Sequence, residues 1–302
     1  GSHGVDLFFV ISGFIMVYTT YGRATEPGRF LLRRFLRIAP LYWLVTLAIL
    51  LIALLLPQLL KSTVIVPAHV LASLAFVPMQ SPAFPGYLWP LLVPGWTLNY
   101  EMAFYVLFAL CLWLPGAVRT AALCATLLGA VLIGRLVDAQ GRLGFYTDAI
   151  VLAFGCGAVL GELYCRGLLQ RLGRRGGLLA LLAGTALWLA GQWLALPHRF
   201  VAAGIPATLV VMGACAIGPI AARGLKWLEA LGDATYSIYL GHVLLLGGLR
   251  VLCSRLGLGV TDAGSAWAFM LTALLLSASG GWLLYRLVET PLADGLARLT
   301  RR

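Results

Sequence analysis

The chain has 302 residues, of which 61% are apolar and 11% charged, against roughly 45–50% and about 25% in soluble domains. That composition excludes a soluble globular enzyme and describes an integral membrane protein. The formal net charge of +11 is spread over short loops between apolar runs, where Lys and Arg orient helices in a bilayer, and no nucleic-acid motif accompanies it.

Reading for runs of about 20 apolar residues predicts nine spans: Val5–Tyr21, Leu41–Leu60, Trp96–Leu114, Thr120–Val137, Tyr146–Cys165, Gly177–Leu196, Val201–Ala222, Ala234–Cys253 and Ala266–Val288. The expected class is all-α, a polytopic transmembrane helix bundle. Helices of that length leave no room for a large soluble domain, so residues 1–302 read as one transmembrane domain.

The first span opens Gly4-Val-Asp-Leu-Phe-Phe-Val-Ile-Ser-Gly-Phe-Ile-Met16, which sets Asp6 and Ser12 inside a hydrophobic helix. An ionisable group in such a place marks a candidate functional site. The following loop, Gly22 to Pro40, is the most basic segment of the chain. Arg29, Arg33 and Arg37 recur every four residues and share a face if the segment is an interfacial helix, with Arg34 beside them. Two readings stand there: contact with anionic lipid, which the run alone favours, or capture of the phosphates of a soluble cofactor by planar guanidinium groups.

Lys61 to Gly95 carries six prolines, a density that prevents a continuous spanning helix. Ala68 to Val77 is expected as a short helix lying at or re-entering the outer surface, and the whole proline-rich segment serves either as a lid or acceptor platform or as a rigid connector. His69 and His198 stand beside prolines in loops and read by default as surface residues, with His69 able to meet an acceptor if its segment folds inward.

In the third span Trp96-Thr-Leu-Asn-Tyr-Glu-Met-Ala-Phe-Tyr105 places Thr97, Glu101 and Tyr105 on one helical face. Glu101 lies about 7 Å below the outer end of that helix at 1.5 Å per residue, a costly depth for a carboxylate unless it is paired or wetted. It is expected to face the protein interior, either as a proton acceptor for a hydroxyl or as the partner of a buried arginine. Gly157-Ala-Val-Leu-Gly161 is read as a packing surface between helices.

The eighth span opens Leu231-Gly-Asp-Ala-Thr-Tyr-Ser-Ile-Tyr-Leu-Gly-His242, in which Tyr236, Tyr239 and His242 advance three residues at a time. His242 is placed near mid-membrane, either shuttling protons or hydrogen-bonded as a structural element. Glu289-Thr-Pro291 closes the ninth span, with Pro291 expected to stop the helix and Glu289 to pair with an inner arginine. The six cysteines have no C-x-x-C spacing, so they read as small buried hydrophobes and indicate neither a metal site nor a disulfide framework.

Charge fixes the expected orientation. If the chain enters from outside, sixteen of the 22 basic residues, from Arg23 to Arg302, fall on the inner side, while Lys61, Arg135, Arg142, Arg199, Arg250 and Arg255 fall outside. The positive-inside rule then puts the C-terminus in the cytoplasm. An outside start without a Met or signal peptide reads as a fragment missing an upstream helix, with Gly1-Ser2-His3 either a cloning remnant or native loop. By depth, the polar groups form a series from the inner arginines through His242 and Ser12 to Glu101 and Asp6. An enzyme passing a group across the membrane needs such a path, and so does a transporter.

Together the Gly4–Met16 run, Arg33-Arg-Phe-Leu-Arg-Ile-Ala-Pro-Leu-Tyr-Trp43, Gly95-Trp-Thr-Leu-Asn-Tyr-Glu101, the Leu231–His242 run and Glu289-Thr-Pro291 resemble the membrane acyltransferase-3 family, which includes O-acetylases of surface polysaccharides. The stretch from Trp96 to Tyr105 is similar to the exopolysaccharide branch. The resemblance implies a bundle of about ten helices in the full-length protein, in a bacterial inner membrane. It also implies transfer of an acyl group, commonly acetyl, from cytoplasmic acyl-coenzyme A to a hydroxyl of a lipid-linked or exported glycan, without a metal. The family's Arg-x-x-Arg motif falls on Arg34 and Arg37, with Arg33 adjacent, which raises the cofactor-phosphate reading of the inner loop. Asp6, Ser12, Glu101, Tyr239 and His242 fall on motif positions and are the candidate catalytic residues. In the family a first helix carries an arginine and, eleven positions later, a histidine taken as the base; this chain is expected to begin after that helix and to be inactive alone. The rival readings are a transporter or flippase of lipid-linked sugars and a catalytically degenerate homologue.

Overall fold

The computed structural model describes residues 4–60, 63–194, 198–218 and 226–299. Gly1 to His3, Lys61, Arg223, Arg301 and Arg302 lie outside the described residues, as do the expected ends of the sixth and seventh spans at Leu196 and Ala222. Among the described residues there is no β-strand. The helices are α1 (Gly4–Thr20), α2 (Pro27–Leu55), α3 (Pro67–Leu74), α4 (Trp96–Leu110), α5 (Gly116–Leu136), α6 (Gly141–Tyr146), α7 (Leu152–Cys165), α8 (Gly173–Trp193), α9 (Ile205–Ile217), α10 (Lys226–Asp233), α11 (Thr235–Arg255), α12 (Ala263–Leu284) and α13 (Thr290–Leu299).

Among the described residues, six helical stretches are long and apolar enough to cross a membrane: 27–55, 116–136, 141–165, 200–217, 235–255 and 263–296. The first expected span is helical and apolar but only 17 residues long. The third is the 15-residue α4, which tightens into a 3₁₀ turn at Cys111–Trp113. The sixth is α8.

Two helix ends differ from expectation. The arginine segment and the second span are one helix of 29 residues that continues through Pro40, so there is no separate interfacial helix. A proline is tolerated inside a membrane helix where neighbouring groups satisfy the freed carbonyls. Pro291 does not stop the last helix either. A π-helical turn at Tyr285–Glu289 precedes it, and the Tyr285 carbonyl accepts both the Thr290 N–H and the Thr290 hydroxyl at 3.0 Å. The wider turn absorbs the missing N–H of Pro291, and the chain runs on as α13.

The chain folds as two compact units, Gly1–Leu32 with Thr97–Ala221, and Arg33–Trp96 with Ala222–Arg302. In the first, α1 and α7 meet backbone to backbone, as the spacing of small residues predicted. A Cβ on Gly157 would lie 1.9 Å from the Val10 carbonyl oxygen, and one on Gly13 would lie 2.1 Å from that of Phe154. Phe154 stacks between Phe9 and Phe104, at 4.2 and 4.3 Å between ring centroids, which locks α1, α4 and α7 around a shared aromatic core.

In the second unit α3 is the expected short helix, and its last carbonyls are taken by side chains of α2. The Tyr42 hydroxyl donates to the Ser73 carbonyl at 3.0 Å and Trp43 Nε1 to that of Leu74 at 2.8 Å. These bonds supply donors to the carbonyls that a helix C-terminus leaves unpaired. Ser73 Oγ donates to the His69 carbonyl at 2.7 Å and accepts from the Leu91 N–H at 2.9 Å, which pins the proline-rich segment to α3. His69 is therefore 2% exposed, not the surface residue its loop context suggested. Further on, Asp262 accepts the Ser265 N–H at 2.7 Å in a capping box that starts α12, and this bond to the charged form holds its carboxyl below the ordinary value.

Candidate functional site

The first unit brings Ser12 of α1 to Glu101 of α4. Ser12 Oγ donates to Glu101 Oε1 at 3.1 Å, and Tyr105, one turn along α4, donates its hydroxyl to the same oxygen. Ser12 and Glu101 are each 5% exposed. Two hydroxyls donating to one oxygen identify Glu101 as a carboxylate acceptor, held by hydrogen bonds in a region where an unpaired charge is costly. The Tyr105 ring is in turn fixed edge-on to Phe30 at 6.3 Å.

Asp6 lies fully buried. Arg199, the residue before the π-helical turn at Phe200–Gly204, places Nη2 3.0 Å from Asp6 Oδ2. Of the two buried carboxylates singled out in the sequence, Asp6 is thus shown paired with an arginine and Glu101 with hydroxyls. Arg119, read as an inner-loop charge, is 5% exposed, with its guanidinium 5.4 Å from the centre of the Phe108 ring. Asn99 is also buried, and neither amide atom has a hydrogen-bond partner among the described residues.

In the second unit α11 carries Tyr236, Tyr239 and His242 as the three-residue spacing predicted. The Tyr236 hydroxyl donates to the Ile38 carbonyl and the Tyr239 hydroxyl to that of Pro94, both at 2.7 Å. His242 Nδ1 lies 2.6 Å from the Tyr239 carbonyl. A carbonyl only accepts, so Nδ1 carries a proton and Nε2 is the ring nitrogen left to exchange one.

Arg33 and Arg37 line a cavity of about 190 Å³ with Glu289 and the side chains of Leu36, Leu41 and Leu292. Arg34 is half-buried and is not among the described lining residues. Ser237 Oγ donates to Glu289 Oε2 at 2.5 Å. The expectation that Glu289 faces the arginines therefore holds in part: it shares their cavity while a serine hydroxyl holds its carboxylate. Two guanidinium groups over an apolar floor suit a phosphate ester with a hydrocarbon portion. The cysteines, meanwhile, are free thiols, Cys111 buried and the other five half-buried, and among the described residues no cluster of His, Cys, Asp or Glu has the makings of a metal site.

Sequence reasoning did not find Arg199, Asn99 or the burial of Arg119 and His69. Arg199 stands 193 residues from Asp6, so no spacing links them. Asn99 lay inside the quoted motif, but its amide carries no spacing signal of its own.

Membrane-length helices with buried carboxylates describe a multi-pass membrane protein. The family model for the acyltransferase domain matches residues 1–286, and the chain belongs to that family, acyltransferase 3. It is 38% identical over 297 residues to the exopolysaccharide production protein ExoZ of Rhizobium meliloti (strain 1021), an alignment covering 97% of this chain and 89% of that protein. No solved structure matches the chain.

Proposed function

We propose that the chain is an integral O-acyltransferase of the inner membrane, with nine spans and a cytoplasmic C-terminus. It moves an acyl group, acetyl in this reading, from cytoplasmic acyl-coenzyme A to a hydroxyl of an exported or lipid-linked glycan. The observation that carries this reading is the cavity lined by Arg33, Arg37 and Glu289, within a family of acyltransferases. The kinship with a protein of exopolysaccharide production supports a glycan acceptor.

Arg33 and Arg37 hold the phosphates of the carrier through charge-assisted hydrogen bonds, with Arg34 adding positive charge on the same helix. Glu101 accepts the proton of the acceptor hydroxyl. The oxygen attacks the thioester carbonyl, the carbon–sulfur bond breaks, and coenzyme A leaves as a thiolate that takes up a proton. Ser12 and Tyr105 position Glu101. His242 presents Nε2 as a second proton carrier, oriented by its bond to the Tyr239 carbonyl, and Tyr239 anchors that turn through Pro94. Asp6, paired with Arg199, holds the first helix in place.

Turnover in detergent, where no compartments exist, tests the reading. The full-length protein given acetyl-coenzyme A and a soluble oligosaccharide releases free thiol and an acetylated sugar in equal amounts; a transporter releases neither.

A further inference from the structure

The second unit contains a further cavity, of about 390 Å³, that none of the groups above uses. Its walls are mostly aliphatic: Ile49 and Ile52 from α2 and Val243, Leu244 and Val251 from α11. Facing into this lining is His69, 2% exposed. Its Nε2 lies 2.9 Å from the Trp89 carbonyl, which only accepts, so Nε2 carries a proton and Nδ1 is the ring nitrogen left to accept a hydrogen bond. That buried Nδ1 has no hydrogen-bond partner among the described residues. The ring is also held in place: His69 sits on α3, whose end is tied down by Tyr42 and Trp43.

A buried acceptor left unmet is costly, and a hydrogen-bond donor brought by a ligand removes the cost. The chemistry of the lining selects that ligand. The described lining contains no Lys, Arg, Asp or Glu, so a phosphate or ammonium head finds no counter-charge there. Thr63 and Ser81 are the other described polar side chains besides His69, and Ser81 Oγ already accepts from the Phe84 N–H at 3.3 Å. The rest is hydrocarbon, matched by hydrocarbon.

We propose that this cavity is a binding site for a neutral lipid alcohol, whose chain lies along α2 and α11 and whose hydroxyl donates to Nδ1 of His69. The site takes a prenyl or alkyl alcohol and discriminates against the same chain lacking the O–H.

The test is equilibrium binding of radiolabelled farnesol and farnesyl methyl ether to the full-length protein in phosphatidylcholine nanodiscs, with empty nanodiscs subtracted. The wild type binds the alcohol about tenfold more tightly than the ether, the value of one hydrogen bond to a buried acceptor. His69→Gln keeps an N–H for the Trp89 carbonyl but moves the acceptor off the Nδ1 position, and its preference for the alcohol over the ether falls. Gly248 lines the cavity, and a Cβ there meets nothing within 4 Å. Gly248→Leu therefore fills the space from an independent helix, and binding of both probes falls at least about tenfold. Equal binding of the two probes by the wild type, no saturable binding, or an undiminished alcohol preference in His69→Gln overturns the proposal.

Discussion

Ser12 Oγ and Glu101 Oε1 lie 3.1 Å apart, joining α1 to α4 through a hydroxyl–carboxylate hydrogen bond across 89 residues of sequence. Tyr105 donates to the same oxygen, so the carboxylate is an acceptor held from two helices. Glu101→Gln replaces that acceptor with an amide, and acyl transfer falls by about 10²–10⁴-fold, the usual contribution of a positioned base. Ser12→Ala removes one holding bond while that from Tyr105 remains, and leaves the rate within about tenfold. Initial rates of acetyl transfer by the full-length protein decide it; a loss with Ser12→Ala as deep as with Glu101→Gln makes Ser12 the nucleophile instead.

Asp6 and Arg199 form an ion pair in which only the arginine reaches solvent, at 37% side-chain exposure. Arg199→Leu deprives a fully buried carboxylate of its guanidinium and destabilises the protein by about 3 kcal/mol, the low end of the range for breaking a buried pair. Adding Asp6→Asn recovers most of that loss, because the charge that needed compensation is gone. Thermal unfolding of the single and double variants in detergent measures the coupling, and strictly additive losses contradict it.

Gly157 touches the Val10 carbonyl of α1 so closely that even a methyl group has no room. The neighbour is backbone and cannot swing aside, so Gly157→Ala costs about 1–3 kcal/mol or more through forced separation of α1 and α7. Gly129→Ala is the matched control, since a Cβ there meets nothing within 4 Å. The fraction of folded protein after size-exclusion chromatography falls for Gly157→Ala alone.

Six membrane-length helices among the described residues were legible because lipid imposes a length and a composition on them, and the small residues at Gly157 and Gly161 because close helix approach demands them. Pro291 was misread because the rule that proline ends a helix describes helices in water, and here a π-helical turn accommodates it. The pairing of Asp6 with Arg199 left no trace in spacing, since the two meet only through tertiary folding. His69 shows the same limit: a histidine after two residues of a proline-rich segment reads as exposed, and only the bonds from Tyr42, Trp43 and Ser73 explain why its segment is buried. The shared face of Arg33 and Arg37, with Arg34 beside it, was legible in the four-residue spacing, but that this face lines a cavity with Glu289 was not.

Binding of acetyl-coenzyme A to the purified full-length protein tests the central claim most directly. Arg33→Ala with Arg37→Ala removes two charge-assisted contacts of about 1.5–3 kcal/mol each, so calorimetric affinity drops by about 10²–10⁴-fold. Arg29→Ala, on the same helix but exposed and paired with Glu26, leaves affinity unchanged. An affinity in the double variant equal to that of the wild type contradicts the assignment of the arginine-lined cavity to the acyl carrier.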